Sequence, residues 1–176
     1  MKISKFPILY LILCLSVFCL GFSACKTSKQ KKRKPKAITA ATSKEPYLLL
    51  YFQKTPCFGK CPNYEAEFWS DGRLLYNGIN HVPLTGRLTY ILPEKTIQNI
   101  QTEAKKIKYF SFKEKYLSNA TDLPSTISRL TLDGKTKQIE TQFSSDAPEL
   151  VVKFQQNIHE EVMAILAEQE PYKPQK

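Results

Sequence analysis

Glycine and histidine are scarce in this sequence, and each shortage narrows the chemistry open to the protein. The six glycines form no glycine-rich loop of the kind that cradles phosphate groups. Ser125 and Ser128 lie outside any Gly-x-Ser-x-Gly motif, so no activated serine is indicated. With only His81 and His159 available, the chain offers a poor set of four zinc ligands. We therefore expect no catalytic residues, no metal site and no cofactor, and we favour a protein that is not an enzyme.

Acidic residues are absent from the first 36 residues, which hold nine of the 26 lysines and arginines. The formal net charge of +10 would suggest a nucleic-acid partner if it were spread over a folded domain. From Ala37 onward, however, 17 basic residues nearly balance all 16 acidic residues. The positive charge belongs to an N-terminal segment, and we predict no nucleic-acid partner.

The N-terminus has the three parts of a secretory signal. A short cationic start, Met1–Lys5, precedes the apolar run Phe6–Phe22, and small residues stand directly before Cys25. This run of about 17 residues is marginal for a membrane-spanning helix, which usually needs about 20. Phe-Ser-Ala followed by cysteine resembles the lipobox of bacterial lipoproteins, in which the cysteine takes a diacylglyceryl group. We predict a signal peptide over residues 1–24 and lipidation of Cys25, with an ordinary signal anchor or a plain cleaved signal as the alternative.

Residues 25–45 are predicted to form a flexible, basic tether. They have no hydrophobic periodicity and cannot bury enough apolar surface to fold. The cations either lie against anionic lipid head groups, at about 1 kcal/mol each, or stay solvated. Some surface-exported Gram-negative lipoproteins resemble one another in having acidic residues soon after the lipidated cysteine, whereas this segment is basic. The predicted location is therefore the outer membrane, with the domain facing the periplasm.

Cys57 and Cys61 are the two cysteines left for the folded part of the chain. In an oxidising compartment, two thiols four residues apart across a glycine-containing loop favour a disulfide. Pro56 and Pro62 flank the pair and restrict the turn. Two alternatives stay open. A thiol-redox pair usually has two intervening residues at a helix start, and the Cys-x-x-x-Cys-Pro string resembles the copper motif of thioredoxin-fold copper chaperones.

The first half of the domain reads as strands followed by a helix. Three strands are predicted at 47–53, 63–70 and 73–77, the last two joined by an Asp-Gly hairpin and the third closed by Gly78. A fourth strand at 84–92 leads to a helix that starts at Pro93. Its predicted core residues recur at helical spacing and are Ile97, Ile100, Ala104 and Ile107.

The second half repeats this pattern and sets the fold class. A strand at 126–132, a second Asp-Gly turn and a return strand ending near Phe143 precede a capping box at 146–149 and a long helix. Because short hairpins join the strands, we predict an α+β fold: an antiparallel sheet of about six strands with two helices packed on one face. The predicted limits are 46–168 for this single domain and 169–176 for a C-terminal tail.

A few polar residues are candidates for contact with a ligand or partner. Asp122 follows Thr121 and precedes Leu-Pro, a setting typical of an Asx-turn or cap, with ligand binding as the alternative. Tyr64 and Tyr116 are further candidate contacts. His159 is expected on the solvated face of the second helix.

Several of these residues also occur in a recognisable set. The string Thr55-Pro56-Cys57-Phe58-Gly59-x-Cys61-Pro62-x-Tyr64 is followed by Asp71-Gly72, Tyr76-x-Gly78, Phe110, Phe112, Tyr116 and Thr121-Asp122-Leu123-Pro124. Together they resemble an uncharacterised family of Bacteroidetes-type lipoproteins with a Pro-Cys-Phe-Gly-x-Cys-Pro-x-Tyr signature, over roughly residues 47–167. The resemblance implies a lipoprotein and supports the domain limits, and it implies no catalytic residues.

The functional expectation is a membrane-anchored accessory protein of the cell envelope that binds a protein or glycan. Its contact surface would be the sheet face or the Cys57–Cys61 turn. One alternative is a thiol-redox or copper-handling protein that uses Cys57 and Cys61. A third interpretation is an inhibitor or immunity-type lipoprotein.

Overall fold

The computed structural model describes residues 45–174, which form seven strands and two α-helices. The predicted signal peptide, Cys25 and all of the predicted tether except residue 45 lie outside the described residues, as do residues 175 and 176. The strands are β1 Leu48–Lys54, β2 Asn63–Trp69, β3 Arg73–Asn80, β4 Gly86–Ile91, β5 Lys115–Tyr116, β6 Ser125–Leu132 and β7 Lys135–Gln142. The helices are α1 Glu94–Lys106 and α2 Glu149–Glu168, and a 3₁₀ turn at Tyr109–Ser111 follows α1.

All seven strands form one sheet in the order β4-β3-β2-β1-β6-β7-β5. Every neighbouring pair is antiparallel except β5 and β7, which run parallel. The α+β class is confirmed, while the prediction of about six antiparallel strands is close but not exact. The strand that was missed, β5, is two residues long, and so short a segment has no alternation to read.

One face of the sheet and both helices enclose the core. In β2, Tyr64, Ala66 and Phe68 are fully buried, and the residues between them are only partly covered. This is the period-two pattern that the sequence predicts. The Asp71-Gly72 turn that follows needs a residue with positive φ, and Gly72 adopts a φ of 90°.

Gly78 does not end its strand, contrary to the prediction, because β3 continues to Asn80. A Cβ at this position would meet the carbonyl oxygen of Leu84 and the hydroxyl of Tyr76. The missing side chain thus lets the loop before β4 approach the strand closely. The Tyr76 hydroxyl uses the space to donate a hydrogen bond to the Leu84 carbonyl at 2.9 Å.

The helices present the predicted apolar faces to the core. In α1, Ile97, Ile100 and Ala104 are buried. The predicted core residues of α2 are also buried: Val151, Phe154, Ile158, Val162 and Ile165. A hydrogen bond from Asn157 Nδ2 to Glu103 Oε1, 2.6 Å long, joins α2 to α1.

The predicted capping box at 146–149 is wrong. Pro148 occupies the N-cap of α2, and no side chain caps the helix there. Proline at a helix start pre-sets the backbone angle φ and lacks an N–H that would be unpaired in that position. The helix therefore starts well without the Asp146 carboxylate.

The outermost strands of the sheet are β4 and β5. Beyond α2 the backbone N–H of Tyr172 donates to the carbonyl of Thr89 in β4 at 2.6 Å. Between residues 45 and 174, no helix is both long and apolar enough to span a membrane.

Candidate functional site

Cys57 and Cys61 lie in the loop from β1 to β2, with their sulfur atoms at bonding distance and their Cα atoms 5.7 Å apart. The bond closes a short turn, within which the N–H of Gly59 points to Cys57 Sγ at 3.3 Å. Phe58 stands at the tip of this turn, and 99% of its surface is exposed. An aromatic side chain is thus held in solvent on a covalently closed loop.

A ladder of hydrogen bonds joins the base of this turn to the start of β6. The N–H of Thr55 donates to the Ser125 carbonyl at 3.0 Å. In return, the N–H of Ser125 donates to Thr55 Oγ1 at 2.7 Å. The β1–β2 loop and the segment that leads into β6 are thereby fixed side by side at one end of the sheet.

The Gln142 side chain holds the same segment from β7. Its Oε1 accepts a hydrogen bond from the N–H of Ser118 at 3.0 Å, and its Nε2 donates to the Leu123 carbonyl at 3.4 Å. Since both bonds lead to the segment between β5 and β6, Gln142 keeps that segment against the end of the sheet.

A cavity of about 470 Å³ lies between this segment and the first turns of α2. Its lining residues are Lys54, Leu123, Pro124, Thr126, Thr141, Gln142, Phe143, Val152, Gln155 and Gln156. We call it the Lys54 cleft. Leucine, proline, phenylalanine and valine form its apolar wall, and the polar lining residues include one cation and no carboxylate.

Lys54 is half-buried at the end of β1, and its Nζ donates a hydrogen bond to Thr126 Oγ1 at 2.8 Å. Burial lowers the pKa of its ammonium group below the usual value because water is removed from the charged form. Among residues 45–174 three ion pairs form, Arg73–Asp71, Lys105–Asp133 and Lys113–Asp146, and Lys54 belongs to none of them.

A fully satisfied polar network forms the floor of the Lys54 cleft. Gln155, which is buried, accepts a hydrogen bond from Thr141 Oγ1 at 2.6 Å through its Oε1. Its Nε2 donates to Ser128 Oγ at 3.0 Å and reaches the carbonyls of Thr126 and Ile139. The Tyr109 hydroxyl completes the network at Ser128. Such a network holds α2 and the sheet in one geometry.

His159 lies on α2, one turn beyond Gln155, and is half-buried rather than on the solvated face as predicted. A hydrogen bond of 2.8 Å joins its Nδ1 to the hydroxyl of the fully buried Tyr64, and the two rings stack. Burial lowers the pKa of His159, and the nearby charge of Lys54 lowers it further. Burial also raises the pKa of Tyr64 far above its usual value.

The face of the sheet opposite the helices is the second candidate surface, and we call it the open face. Two pairs of an arginine and an aromatic side chain lie on it. Arg73 Cζ lies 5.0 Å from the centre of the Trp69 ring, and Arg129 Cζ lies 4.8 Å from the centre of the Tyr51 ring. These are cation–π distances. Beside them is a depression of about 390 Å³, lined by Glu65, Glu67, Leu75, Tyr76, Asn77, Arg87, Leu88 and Thr89.

Two carboxylates of β2 orient the aromatic rings of the open face. The Tyr51 hydroxyl donates to Glu65 Oε1 at 3.1 Å, and Trp69 Nε1 donates to Glu67 Oε2 at 3.3 Å. Burial, reinforced by the negative charge of Glu65, raises the pKa of Tyr51 to about 12. The hydroxyl therefore stays protonated and remains a donor at neutral pH.

In a comparison with known protein families, residues 48–162 match the family described as Domain of unknown function (DUF6438). The chain belongs to this family. Among curated proteins, none matches the sequence. The match covers β1 to β7 and most of α2 of the DUF6438 domain, and therefore includes both the Lys54 cleft and the open face.

The candidate contact residues fall in different environments of the DUF6438 domain. Tyr64 is fully buried against His159, and Tyr116 is buried as well, its hydroxyl accepting a hydrogen bond from the N–H of Lys113 at 2.9 Å. Asp122 is exposed in the segment before β6 and has a positive φ of 62°. Of the three, only Asp122 lies at the surface, which disfavours direct partner contact through the tyrosines.

No pattern in the sequence indicates Lys54, Thr126 and Gln155 as a group in the DUF6438 domain. They come from β1, β6 and α2, and no local spacing connects them. Phe143 is the one lining residue that a sequence pattern marks, because it continues the apolar alternation of β7. In the structure it lies beyond the end of that strand and lines the cleft, with 78% of its surface exposed. No group of three or more His, Cys, Asp or Glu side chains that could hold a metal ion occurs within residues 45–174.

Proposed function

We propose that this protein is a lipoprotein of the cell envelope, anchored through Cys25, whose domain binds a protein or glycan partner through the open face. The observation that carries the proposal is the presence on that face of two cation–π pairs, Arg73 on Trp69 and Arg129 on Tyr51. Tryptophan, tyrosine and arginine are the residues most enriched at the energetic centres of protein interfaces. The same aromatic rings, beside carboxylates, also suit the stacking and hydrogen bonding of a sugar.

The fixed positions of these side chains support a binding role. Each aromatic ring is held by a hydrogen bond to a glutamate and by an arginine over its face. Binding a partner costs about 0.5–1.5 kcal/mol for each side chain that must be immobilised. Because these side chains are already fixed by neighbours, a partner meets a smaller entropic cost here than at a surface of free lysines and glutamates.

The anchoring part of the proposal is supported by the sequence. The cationic start, apolar run and small residues before Cys25 are typical of a lipoprotein signal. The Pro-Cys-Phe-Gly-x-Cys-Pro-x-Tyr signature, which resembles that of a lipoprotein family, supports the same proposal. On this basis the domain is expected at the outer membrane, facing the periplasm.

Site-specific photo-crosslinking in cells tests the binding surface. A photoreactive amino acid replaces Leu75, which lines the depression on the open face, and in a matched control it replaces Lys95, which is exposed on α1. We expect one discrete crosslinked product from position 75 and none from position 95, with mass spectrometry distinguishing a protein from a glycan. Adding Trp69→Ala to the position-75 variant should reduce the yield several-fold. Equal crosslinking from both positions, or a yield that ignores Trp69→Ala, would contradict the proposal.

Trp69 also supplies a direct readout, since it is the only tryptophan of the chain. Its fluorescence should change when the purified protein meets the partner identified by crosslinking, or a purified envelope polysaccharide. An unchanged emission spectrum with bound partner would place the contact elsewhere on the domain.

A further inference from the structure

We infer that the Lys54 cleft is a binding site for a carboxylate joined to an apolar group, such as a small organic acid or the C-terminal residue of a peptide. This site is separate from the open face, because Lys54 and Thr126 stand on the helix side of the sheet next to Gln155. The inference therefore goes beyond the proposed partner surface, and either can fail without the other.

The charge of the cleft points to an anion. Lys54 is half-buried, its charge is partly stripped of water, and the lining residues include no aspartate or glutamate. A buried charge is costly unless it is paired. A bound anion would supply the missing partner.

The hydrogen-bond donors of the cleft suit the two oxygens of a carboxylate. Lys54 Nζ has three N–H groups and uses one of them on Thr126 Oγ1, 2.8 Å away. Because Thr126 Oγ1 accepts that bond, its own hydrogen is left to donate, and it has no acceptor among residues 45–174. An ammonium group and a hydroxyl thus lie side by side with unused donors.

Gln155 and Gln142, which also line the cleft, do not compete for this role. Both ends of the Gln155 amide bond to Thr141, Ser128 and nearby carbonyls, and both ends of the Gln142 amide are likewise bonded. Their side chains shape the cleft, while Lys54 and Thr126 are left to meet a ligand.

The size and apolar wall of the cleft define the rest of the ligand. A volume of about 470 Å³ falls within the range of small-molecule sites, which is about 300–1,000 Å³. Leu123, Phe143 and Val152 lie along it, and 78% of the Phe143 surface is exposed. An apolar group attached to the carboxylate would cover these side chains, whereas inorganic anions would leave them in water.

Matched ligands test the carboxylate requirement on the full chain reconstituted in lipid nanodiscs. Isothermal titration compares 3-phenylpropionate with 3-phenylpropan-1-ol and 3-phenylpropylamine, which keep the apolar part. We expect the acid to bind at least tenfold more tightly than the alcohol, and the amine not to bind. Equal affinity for acid and alcohol, or no binding of the acid, would overturn the inference.

Two variants assign the binding to the named side chains. Lys54→Met removes the ammonium group but keeps the length of the side chain, and should weaken binding of the acid about tenfold or more. Thr126→Val should weaken binding of the acid several-fold. If Lys54→Met does not fold, this second variant tests whether the acid binds in the cleft. Lys153→Met, an exposed lysine of α2 that does not line the cleft, should bind like the unaltered chain. Unchanged affinity in both cleft variants would show that the acid binds elsewhere.

A peptide arm distinguishes the two sources of the carboxylate. N-acetyl-Ala-Phe with a free C-terminus is compared with its C-terminal amide and with 3-phenylpropionate. A peptide C-terminus as the natural ligand predicts that the free peptide binds more tightly than the simple acid, while a small organic acid predicts the reverse. Tighter binding of the peptide amide than of the free peptide would contradict the inference in either form.

Discussion

His159 and Tyr64 form a hydrogen-bonded polar pair on the helix side of the sheet, where most buried side chains are apolar. Tyr64 is fully buried and bonds to His159 Nδ1, and Lys54 is close enough for its charge to lower the pKa of the histidine. Glu160 acts in the opposite direction but is the smallest of the three influences. The folded protein therefore holds His159 in its neutral form more strongly than an unfolded chain does.

This arrangement predicts a stability that depends on pH. The pKa of His159 is lower in the folded state than its ordinary value of 6.5, so the unfolded chain binds the proton more readily. The stabilisation is present above about pH 6.5 and is lost as the pH falls toward the folded pKa. We expect the Tm to decrease between pH 7 and pH 5, with a smaller decrease in His159→Gln.

His81→Gln is the matched control, since His81 is exposed in the loop before β4. Thermal unfolding followed by circular dichroism at half-unit pH intervals measures the slopes. If His159→Gln kept the full slope and His81→Gln removed it, the assignment to His159 would be wrong.

Gln155 offers a sharper test of the buried network, because an exposed glutamine follows it directly. Gln155→Leu removes the acceptor for Thr141 and the donor for Ser128, leaving buried polar groups unpaired at a cost of about 1–3 kcal/mol. Gln156→Leu makes the same chemical change on the solvated side of α2, where we expect less than about 0.5 kcal/mol. Urea unfolding of both variants gives the two values. Equal losses would contradict a structural role for the Gln155 network.

At the scale of elements, the disulfide turn is expected to act locally. Only three residues separate Cys57 from Cys61, and closing so short a loop in the unfolded chain contributes about 2 kcal/mol by the loop-closure relation. The double change Cys57→Ser and Cys61→Ser should lower the free energy of unfolding by about that amount. Guanidinium unfolding measures it, and the spectrum of the folded core should stay unchanged.

Free-thiol titration completes this experiment. The unaltered chain, purified without reductant, should show no reactive thiol at Cys57 or Cys61 under native conditions. Reactive, low-pKa thiols at these positions would instead support the thiol-redox alternative.

The elements show what the sequence could and could not predict. β2, α1 and the core face of α2 were predictable because each buries side chains at its own period, as Tyr64, Ala66 and Phe68 do along β2. His159 was placed wrongly because its sequence neighbours Glu160 and Gln156 are exposed, while the residue that buries it, Tyr64, lies 95 positions away. A contact between residues so far apart in the chain produces no periodic pattern in the sequence. The Lys54 cleft was missed for the same reason, since β1, β6 and α2 meet there only after folding.

At the scale of the whole molecule, charge is distributed unevenly along the sequence. Nine of the 26 basic residues precede Ala37 without one acidic residue, and the chain beyond it is nearly neutral. This distribution fits a domain held near a membrane by its N-terminal region, which is the anchoring part of the proposed function.

Changing Cys25 to serine tests that anchoring. A lipoprotein signal requires the cysteine thiol, so Cys25→Ser should lose the acyl mass, and any Cys25→Ser chain whose leader has been removed should move from the membrane fraction to the soluble periplasmic fraction. Mass spectrometry of the N-terminal peptide and cell fractionation measure the two effects, and Cys19→Ser, inside the predicted signal, is the matched control. A mature protein that stays with membranes without any acyl group would contradict the lipid anchor.

The hydrogen bond from the N–H of Tyr172 to the Thr89 carbonyl affects how readily crowded copies of the protein pair through their sheet edges. A sheet with free edges is a template for pairing with strands of other molecules, and proteins limit this by covering an edge or keeping it short. Here the chain that leaves α2 covers part of β4, and the opposite edge strand, β5, has two residues. Both features reduce the edge backbone that is open to pairing between copies held at high local concentration.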